Sequence, residues 1–396
     1  MRPQTRPVFI VSAARTPIGA YLGVLAPLSA PRLGAAAIRA ALERARVHPA
    51  EVDEVYMGNV LSAGLGQAPA RQAALYAGGS ESTPAITIGK VCGSGLQAVI
   101  LGARALLLGD ADIVVAGGME SMSNAPYYLT RARTGYRMGD AKIVDGMIFD
   151  GLWDPYHDYP MGKAGELCAK EFGLSREVQD EYARESYRRA RSAMEQGLFD
   201  DEIAAVTINE KKGAPRVVSE DEEPKRGDPS QFEKLRPAFE DQGTITAANA
   251  SSISDGAAAL VLASSEAVER HHLEPMARLV GYGGAAQAPE WFTTAPAKAI
   301  QRTLEKLALR REDIELWEIN EAFSCVALAC ARLAGVDLGK LNVHGGAVAL
   351  GHPIGASGAR ILTTLLYAMR RRGARRGLAT LCIGGGEALA AVVERS

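Results

Sequence analysis

The sequence predicts a layered α/β fold built from two similar halves, with a further segment inserted into the first half. Short apolar runs typical of strands alternate with helical patterns along most of the 396 residues, as in α/β layering. From Met119 to about Ser252 this alternation gives way to tyrosines, arginines and short irregular pieces. After Asp255 the alternation returns and repeats the pattern of residues 8–118. Length alone indicates two or three domains.

The first half begins with the run Val-Phe-Ile-Val at residues 8–11, which predicts a first strand. Further strands are predicted where apolar and β-branched residues cluster, and helices where apolar residues recur every three or four positions. The stretch 112–118 is almost continuously apolar and ends in two glycines, the pattern of a buried strand. In chain order the predicted elements are strand 7–13, helix 35–46, strand 54–60, helix 67–76 and strand 112–118.

The insert contains two helical patterns, at 165–172 and 176–196. Ser175 directly precedes the second pattern and is the expected N-cap of that helix. The stretch 211–235 is highly charged and contains proline and glycine, so we expect it to be exposed. The insert is therefore interpreted as a subdomain that covers the rest of the protein like a lid.

The second half repeats four features of the first half in the same order, at an offset of about 260–270 residues. Two similar α/β halves packed together follow from this repeat. A turn with a cysteine in the first half and a turn with a histidine in the second half are then equivalent, and they can meet at the interface between the halves, a natural place for a site. The pairs are 278–282 with 8–13, 314–319 with 52–57, 351–358 with the turn at Cys92, and 379–385 with 113–118.

Composition excludes several classes of function. The formal net charge is −2, so there is no basic field that would indicate nucleic-acid binding. No run of about 18 uninterrupted apolar residues occurs, so no membrane span is expected. The five cysteines are odd in number and widely scattered, which does not fit a disulfide framework and favours a reducing, cytoplasmic location.

The sequence TIGKVCGSGLQA at 87–98 is predicted to form a strand, a tight turn that carries Cys92, and the start of a helix. Free N–H groups at a helix N-terminus favour a thiolate, so Cys92 is a candidate nucleophile. A buried cysteine beside a glycine turn is the alternative structural interpretation. The segment GSGLQA also fits the dinucleotide fingerprint, but it does not lie in the first βα unit of the chain.

Three motifs of the second half carry further polar or nucleophilic groups. WEINEAF at 317–323 places Asn320 at a strand-to-helix junction, GHPIGASG at 351–358 places His352 on a glycine-rich turn, and CIGGG at 382–386 places Cys382 at a strand end. Each motif alone is more often structural. Together with Cys92 they provide two thiols, a base and two sets of donors for a developing oxyanion.

The ordered motifs VCGSG (91–95), NASSISDG (249–256), NEAF (320–323), GHPIGASG and CIGGG resemble the signature blocks of the thiolase family. The resemblance extends from about Val8 to the C-terminus and is greatest for the biosynthetic branch, the acetyl-CoA acetyltransferases. It implies a five-layered α/β/α/β/α fold with an inserted loop domain. The implied domains are an N-terminal half at 1–121 and 254–275, a coenzyme A-binding loop domain at 122–253, and a C-terminal half at 276–396.

The resemblance also implies a reaction, the ping-pong Claisen condensation of two acetyl-CoA to acetoacetyl-CoA and coenzyme A, and its reversal by thiolysis. Cys92 would be acylated, His352 would withdraw its proton, and Cys382 would remove the α-proton of the second acetyl-CoA. One oxyanion hole would consist of His352 and a water held by Asn320. The other would consist of the backbone N–H groups of Cys92 and Gly384.

The implied contacts with coenzyme A involve Met161, Ser251 and Arg226. Ser251 would touch the pantetheine arm, and Arg226 would approach the adenine and phosphate end. The resemblance implies no metal or redox cofactor, with coenzyme A as substrate and product. Some members bind potassium near an alanine-rich turn similar to 247–250, so that possibility stays open. The expected partners are acyl-CoA substrates and further copies of the chain, as a dimer or tetramer.

Departures from the family pattern leave the acyl chain length open. Pro160 stands where many short-chain members have histidine, as in some 3-ketoacyl-CoA thiolases of broad chain-length range, and the segment 291–294 also differs. A ketoacyl synthase-like condensing enzyme would use two histidines with its cysteine, which Cys382 and NEAF argue against. A non-catalytic thiolase-like lipid carrier would not need the four site residues. The physiological direction, condensation or thiolysis, is not fixed by sequence.

Overall fold

The computed structural model describes residues 6–209 and 213–395 and shows a mixed α/β protein. The described strands are β1 (Val8–Arg15), β2 (Gly19–Ala20), β3 (Glu54–Gly58), β4 (Ala85–Ile88), β5 (Ile113–Ser121), β6 (Tyr127–Tyr128), β7 (Val144–Asp145), β8 (Trp153–Asp154), β9 (Tyr159–Pro160), β10 (Val206–Ile208), β11 (Arg216–Val218), β12 (Ser254–Ser264), β13 (Ala277–Ala286), β14 (Leu316–Ile319), β15 (Arg376–Ile383) and β16 (Glu387–Glu394).

Helices occupy much of the remaining described chain. They are α1 (Ala30–Ala45), α2 (Pro69–Tyr76), α3 (Ser94–Leu108), α4 (Met161–Glu171), α5 (Arg176–Glu195), α6 (Glu223–Arg226), α7 (Ser265–Arg270), α8 (Ala295–Leu307), α9 (Ser324–Ala334), α10 (Ala347–Leu350) and α11 (Ser357–Arg372).

One large sheet contains ten strands, nine of which follow the order β4-β3-β5-β12-β1-β13-β16-β15-β14, while β2 pairs with β12. Its two parts repeat one arrangement. In the first part β3 runs parallel to β5, and β5, β12 and β1 are successively antiparallel. In the second part β14 runs parallel to β15, and β15, β16 and β13 are successively antiparallel. The repeat predicted from sequence is therefore present in the strand order.

Helices α3 and α11 share one hydrophobic core with residues from strands of both parts of the sheet. This core includes Leu96 and Ile100 of α3 together with Leu362 and Leu365 of α11. Helices α1 and α2 pack in a second core with residues of β3, β5 and β12. Helices α8 and α9 pack in a third core with residues of β14, β15 and β16. The two helices that follow the Cys92 and His352 turns are therefore the central ones.

Glycines allow the first turns of α3 and α11 to touch. A Cβ atom on Gly95 would lie 2.8 Å from the backbone nitrogen of Ala359, and one on Gly358 would overlap the backbone nitrogen of Leu96. Only a residue without a side chain fits such a backbone approach. The contact brings the Cys92 turn and the His352 turn together, as the repeat predicts.

The predicted elements lie where expected, with shifted ends. Helix α1 begins five residues before the predicted start of 35 because Pro31 is tolerated in a first helical turn. Ser175 caps α5, its side chain accepting a hydrogen bond from the Val178 N–H. The central strand β12 was not predicted, because its sequence SDGAAALVLAS has few β-branched residues.

The expected loop domain contains α4, α5, α6 and the short strands β6 to β11. Within it, Tyr187, Ala190 and Phe199 pack in a core with Val348 and Leu350 of α10. Residues 1–5, 210–212 and 396, which belong to the expected domains, lie outside the described residues. The boundaries between the three domains stay a prediction.

Among the described residues, the stretch Val91–Leu108 is long and apolar enough to cross a membrane by length and composition, with a mean hydropathy of 1.7. This stretch consists of the Cys92 turn and α3, and 61% of it is buried inside the protein. Its apolar character is accounted for by its place in the central core, where α3 packs on α11 and the sheet.

Candidate active site

A cavity of about 860 Å³ opens beside the Cys92 turn. Its wall combines residues of the first half, the insert and the second half. Most of the lining surface is apolar, as is usual for a pocket that binds a small molecule. Predicted site residues in the wall are Cys92, Met161, Ser251, His352 and Gly384.

The Cys92 turn is held by its own hydrogen bonds. The Ser94 hydroxyl accepts a bond from the Lys90 N–H (2.8 Å) and donates one to the Val91 carbonyl (2.7 Å). Val91 has a φ of +44°, a conformation that is strained for a β-branched residue. The strained residue directly precedes Cys92, and α3 begins two residues after it, so the thiol is presented at the helix N-terminus.

Two backbone N–H groups, those of Gly384 and of Cys92 itself, hydrogen-bond the Cys92 sulfur when it is charged. Burial nevertheless raises the pKa of the Cys92 thiol to about 11, because it outweighs those two N–H groups. The N–H groups therefore favour the thiolate, as expected at a helix N-terminus, but burial outweighs them in the free protein. Cys92 needs a base to become a nucleophile.

His352 has the tautomer of a base for Cys92. Its Nδ1 lies 2.6 Å from the Ser357 hydroxyl, which itself donates to the Pro353 carbonyl (2.9 Å). Because the hydroxyl has only one proton, it accepts the Nδ1–H of His352. Nε2 then carries a lone pair, is buried, and has no hydrogen-bond partner in the described part of the chain. Burial, with a contribution from Arg360, lowers the pKa of His352 to about 3, which keeps the ring neutral.

Cys382 lies behind Cys92 at the end of β15 and is fully buried. Burial, and then the nearby Cys92 sulfur, raise the pKa of Cys382 well above its usual value. A buried neutral thiol is a proton donor, and after it has lost its proton it becomes a strong base. Cys382 itself does not line the cavity, whereas Gly384, two residues further on, does.

Asn320 follows β14 and is 1% exposed. Its backbone N–H donates to Thr380, and its side-chain oxygen accepts a long hydrogen bond from Arg360 (3.4 Å). This orientation leaves the Nδ2 amide group with no partner among residues 6–209 and 213–395. A buried amide with two free N–H groups is suited to hold a water molecule or an oxyanion.

Models of the thiolase N-terminal domain and the thiolase C-terminal domain match residues 8–266 and 273–395. The chain belongs to the thiolase family. Acetyl-CoA acetyltransferase 1 of Arabidopsis thaliana is 53% identical over 393 residues, covering 99% of this chain and 95% of that protein. Acetyl-CoA acetyltransferase of Cupriavidus necator is 52% identical, covering 98% and 99%. Acetyl-CoA acetyltransferase of Pseudomonas aeruginosa is 49% identical, covering 98% and 99%.

Two of the three predicted coenzyme A contacts of this thiolase lie in the cavity wall. Met161 begins α4, and Ser251 donates from both its N–H and its hydroxyl to the Ala322 carbonyl (3.0 Å each). Arg226 lies elsewhere, at the end of α6, where its exposed side chain pairs with Glu222 at 3.3 Å. It does not line the cavity, and its contact with coenzyme A stays a prediction.

Part of the thiolase cavity wall was not singled out from sequence. Ile148, Phe149, Trp153 and Tyr156 of the insert line the cavity. The available signal was a cluster of aromatic residues in an irregular segment. Pro160 and Phe292, which belong to the two segments that depart from the family pattern, also lie in the wall.

Glu321 of the NEAF motif connects the insert to the second half of this thiolase. Its carboxylate accepts hydrogen bonds from Tyr182 (2.9 Å) and Ser186 (2.7 Å) of α5, and from Asn342 (2.8 Å). The residue next to Asn320 is therefore structural, which its polar character alone did not reveal. No cluster of three or more His, Cys, Asp or Glu side chains able to hold a metal occurs in the described ranges.

Proposed function

We propose that this thiolase is an acetyl-CoA acetyltransferase, which condenses two acetyl-CoA to acetoacetyl-CoA and coenzyme A and catalyses the reverse thiolysis. The observation that carries the proposal is the meeting of Cys92, the neutral His352 and the Gly384 N–H at one apolar cavity, with Cys382 directly behind. Relatives that bear this name at about 50% identity over the whole chain support it.

In the first half-reaction, His352 Nε2 takes the proton of the Cys92 thiol as the sulfur attacks the carbonyl carbon of acetyl-CoA. The bond between that carbon and the coenzyme A sulfur breaks, and the leaving thiolate takes a proton from Cys382. The products are acetyl-Cys92 and coenzyme A. The high pKa of Cys382 suits this step, because it keeps a protonated thiol available to the leaving group.

In the second half-reaction, the Cys382 thiolate removes a proton from the methyl carbon of a second acetyl-CoA. The resulting carbanion attacks the carbonyl carbon of acetyl-Cys92, and the new carbon–carbon bond gives acetoacetyl-CoA. The Cys92 sulfur leaves and recovers its proton from His352. Both thiols and the neutral imidazole are then restored, so the cycle balances in protons and electrons.

Two oxyanion holes serve these steps in the proposal. The N–H groups of Cys92 and Gly384 face the sulfur and can bind the thioester oxygen of the acetylated cysteine. His352 Nε2, once protonated, and a water on the Asn320 amide can bind the enolate oxygen of the second acetyl-CoA. Loss of one such donor typically slows an enzyme about 100–1000-fold.

The test is a thiolysis assay with free coenzyme A. We expect kcat/KM for acetoacetyl-CoA to exceed that for a 3-ketoacyl-CoA of 16 carbons by about 100-fold or more, since each methylene that a pocket excludes can change discrimination by about tenfold or more. Comparable use of both substrates would favour a degradative thiolase of broad chain-length range. That alternative has support in Pro160 and Phe292, which both line the cavity. Cleavage of neither substrate would favour the lipid carrier.

The same proposal includes the five-layered α/β/α/β/α arrangement. The three cores support it, with α3 and α11 between the two parts of the sheet and other helices on the outer faces. The predicted division at 1–121 with 254–275, 122–253 and 276–396 belongs to the proposal as well.

A homo-oligomer and a cytoplasmic location complete the proposal. The edge strand β4 exposes Ile86, and the insert exposes Tyr127, Leu129, Ile143 and Phe149. Exposed apolar groups of this kind support association with further copies. The five cysteines are free, as in a reducing compartment, while the names of relatives include both a cytosolic and a mitochondrial protein.

A further inference from the structure

Glu120 is a completely buried carboxylate near the end of β5 that the proposed mechanism does not use. It follows the glycine pair of the sequence GGME at 117–120. Burial raises the pKa of Glu120 to about 7, although three backbone N–H groups act in the opposite direction. A buried charge of this kind is costly unless it is fully hydrogen-bonded.

Both carboxylate oxygens of Glu120 are fully used. Oε1 accepts from the Asn59 side-chain amide (2.7 Å) and the Leu61 N–H (3.1 Å). Oε2 accepts from the Val60 N–H (3.0 Å) and the Gly355 N–H (2.9 Å). Three of these donors belong to the loop after β3 in the first half. The fourth belongs to the histidine turn of the second half, so this carboxylate bridges the two halves.

The bridge ends three residues after His352. A Cβ atom on Gly355 would lie 2.6 Å from Oε2 of Glu120, so the turn approaches the carboxylate as closely as glycine permits. The neighbouring Ile354 packs in a small core with Leu61, and Cys92 packs against the same core. The hydrogen bonds of Glu120 therefore hold the histidine turn against the wall that carries Cys92.

The second half also sends a carboxylate to the catalytic turn of the first half. Glu387, which follows the glycine triplet 384–386 and begins β16, forms an ion pair with Lys90 of the Cys92 turn. Each half thus extends a carboxylate to the catalytic turn of the other half, Glu120 from within β5 and Glu387 from the start of β16. The second contact is partly exposed, with side chains 27% and 37% accessible, and such pairs contribute little. Glu120 is the stronger of the two connections.

We infer that Glu120 is a positioning residue, which aligns His352 with Cys92 by holding the histidine turn to the first half, and that the Lys90–Glu387 pair assists from the opposite side. The inference rests on the proposed roles of Cys92 and His352. It concerns both half-reactions, because His352 takes part in both.

Substitution by glutamine tests the hydrogen bonds without changing the size of the side chain. Each carboxylate oxygen faces two N–H donors, so either orientation of a glutamine amide turns its NH₂ group against two of them. In Glu120→Asp the charge is kept but the side chain is too short to reach Gly355 in its present place. A displacement of about 1 Å between reacting groups can cost about 100-fold in rate.

The experiment measures the exchange of label between acetyl-CoA and free coenzyme A at pH 8, above the pKa of about 7 of Glu120. This exchange needs only the first half-reaction and its reverse. For Glu120→Gln and Glu120→Asp we expect kcat to fall about 30–100-fold, with KM for coenzyme A within about twofold of the original. A change in KM for coenzyme A alone, with kcat unchanged, would overturn the inference.

Asp255→Asn is the matched control. Asp255 is equally buried on the neighbouring strand β12, but its carboxylate accepts from the segment 121–123 and not from the histidine turn. The substitution Asp255→Asn therefore removes a buried charge without altering a hydrogen bond to the histidine turn. We expect its exchange rate to stay within about threefold of that of the original protein. An equal loss in Asp255→Asn and Glu120→Gln would mean that any lost buried charge disturbs the site, and would overturn the inference.

A double-mutant cycle separates positioning from general damage. If Glu120 acts through His352, Glu120→Gln combined with His352→Ala should be no slower than His352→Ala alone, within about threefold. Additive losses would overturn the inference. Normal exchange in His352→Ala would instead contradict the proposed function, so the two failures are distinguishable.

A second pair of variants keeps the test open if Glu120→Gln does not fold. Lys90→Met and Glu387→Gln alter only the partly exposed pair, and each should slow exchange about threefold with no further loss when combined. Original rates in both variants would overturn the assisting role of the Lys90–Glu387 pair.

Discussion

At the scale of single residues, burial decides the protonation of the catalytic groups. Cys92 is at a helix N-terminus and faces two N–H groups, yet burial raises its pKa to about 11, while burial lowers the pKa of His352 to about 3. The pair is therefore a neutral thiol beside a neutral imidazole before substrate binds. Proton transfer then accompanies the attack on the thioester, which is the usual way in which a weak nucleophile is activated by a base.

The separate role of Cys382 can be tested by Cys382→Ser. A serine hydroxyl is a far weaker acid than a thiol, so it cannot supply the base for the second half-reaction. We expect exchange between acetyl-CoA and coenzyme A to retain about a tenth of its rate or more, and condensation to fall about 1000-fold, within the range of general-base contributions. The two rates are measured side by side.

Cys330→Ser is the control for that prediction. Cys330 is equally buried in the same core, and its sulfur lies 3.3 Å from the Thr293 carbonyl, to which a hydroxyl can also donate. It does not line the cavity, so both rates should stay near the original. Equal loss of exchange and condensation in Cys382→Ser would remove the distinct role of Cys382.

At the scale of secondary-structure elements, the site depends on how closely α3 and α11 approach. Both helices begin just after a catalytic turn and touch through Gly95 and Gly358. The contact is backbone against backbone, so neither helix can move to accept a larger residue without displacing Cys92 or His352. Packing of this kind transmits strain rather than absorbing it.

Gly358→Ala tests the importance of this contact. In an isolated helix the change from glycine to alanine would stabilise the helix by about 1 kcal/mol. Here the methyl group would overlap the backbone of Leu96, so we expect the free energy of unfolding to fall by about 1–3 kcal/mol. We also expect activity to fall more than stability alone explains. Thermal unfolding and thiolysis assays measure the two effects.

Gly34→Ala is the comparison for that variant. Gly34 also lies in a helix, α1, but its nearest neighbour is the flexible side chain of Met119. A side chain can turn away where a backbone cannot. The losses of unfolding free energy and of thiolysis activity should therefore both be smaller than in Gly358→Ala. Equal losses in the two variants would show that the backbone contact has no special importance.

Sequence reasoning located the site better than it located the elements. The motifs around Cys92, Asn320, His352 and Cys382 were found because nucleophiles beside glycine turns are distinctive. Strand β12 was not predicted, because SDGAAALVLAS consists largely of small residues. Its place between β1 and β5 depends on neighbours that are distant in sequence. Glu120 was missed as well, because its hydrogen bonds join segments that only the fold brings together.

At the scale of the whole molecule, the seam between the insert and the second half contains a histidine that is sensitive to pH. His344 is buried, packs edge-on against Phe199 of the insert, and its Nδ1 has no partner in the described ranges. Burial, followed by the charges of Arg372 and Arg371, lowers the pKa of His344 to about 4. Asparagine at this place would not titrate.

His344→Asn should make the protein less sensitive to acid. The unfolded chain takes up a proton at His344 near pH 6.5, whereas the folded protein takes it up only near pH 4. His344 therefore costs stability progressively as the pH falls from 6.5 towards 4. Denaturant unfolding should show the free energy of unfolding of the variant, relative to that of the original protein, rising by about 1.4 kcal/mol for each unit by which the pH falls from 6 to 4.5. A difference that does not change with pH would contradict this account.

The core shared by α3 and α11 has a consequence for the order in which the protein is made. The first half is complete on the ribosome well before α11, which lies in the last part of the chain, has been synthesised. During that interval the apolar face of α3 lacks its partner, and Cys92 lacks its base. The nascent chain is therefore most exposed to aggregation at its future catalytic centre, and the site is complete only after α11 and the following strand β15, which carries Cys382, have docked.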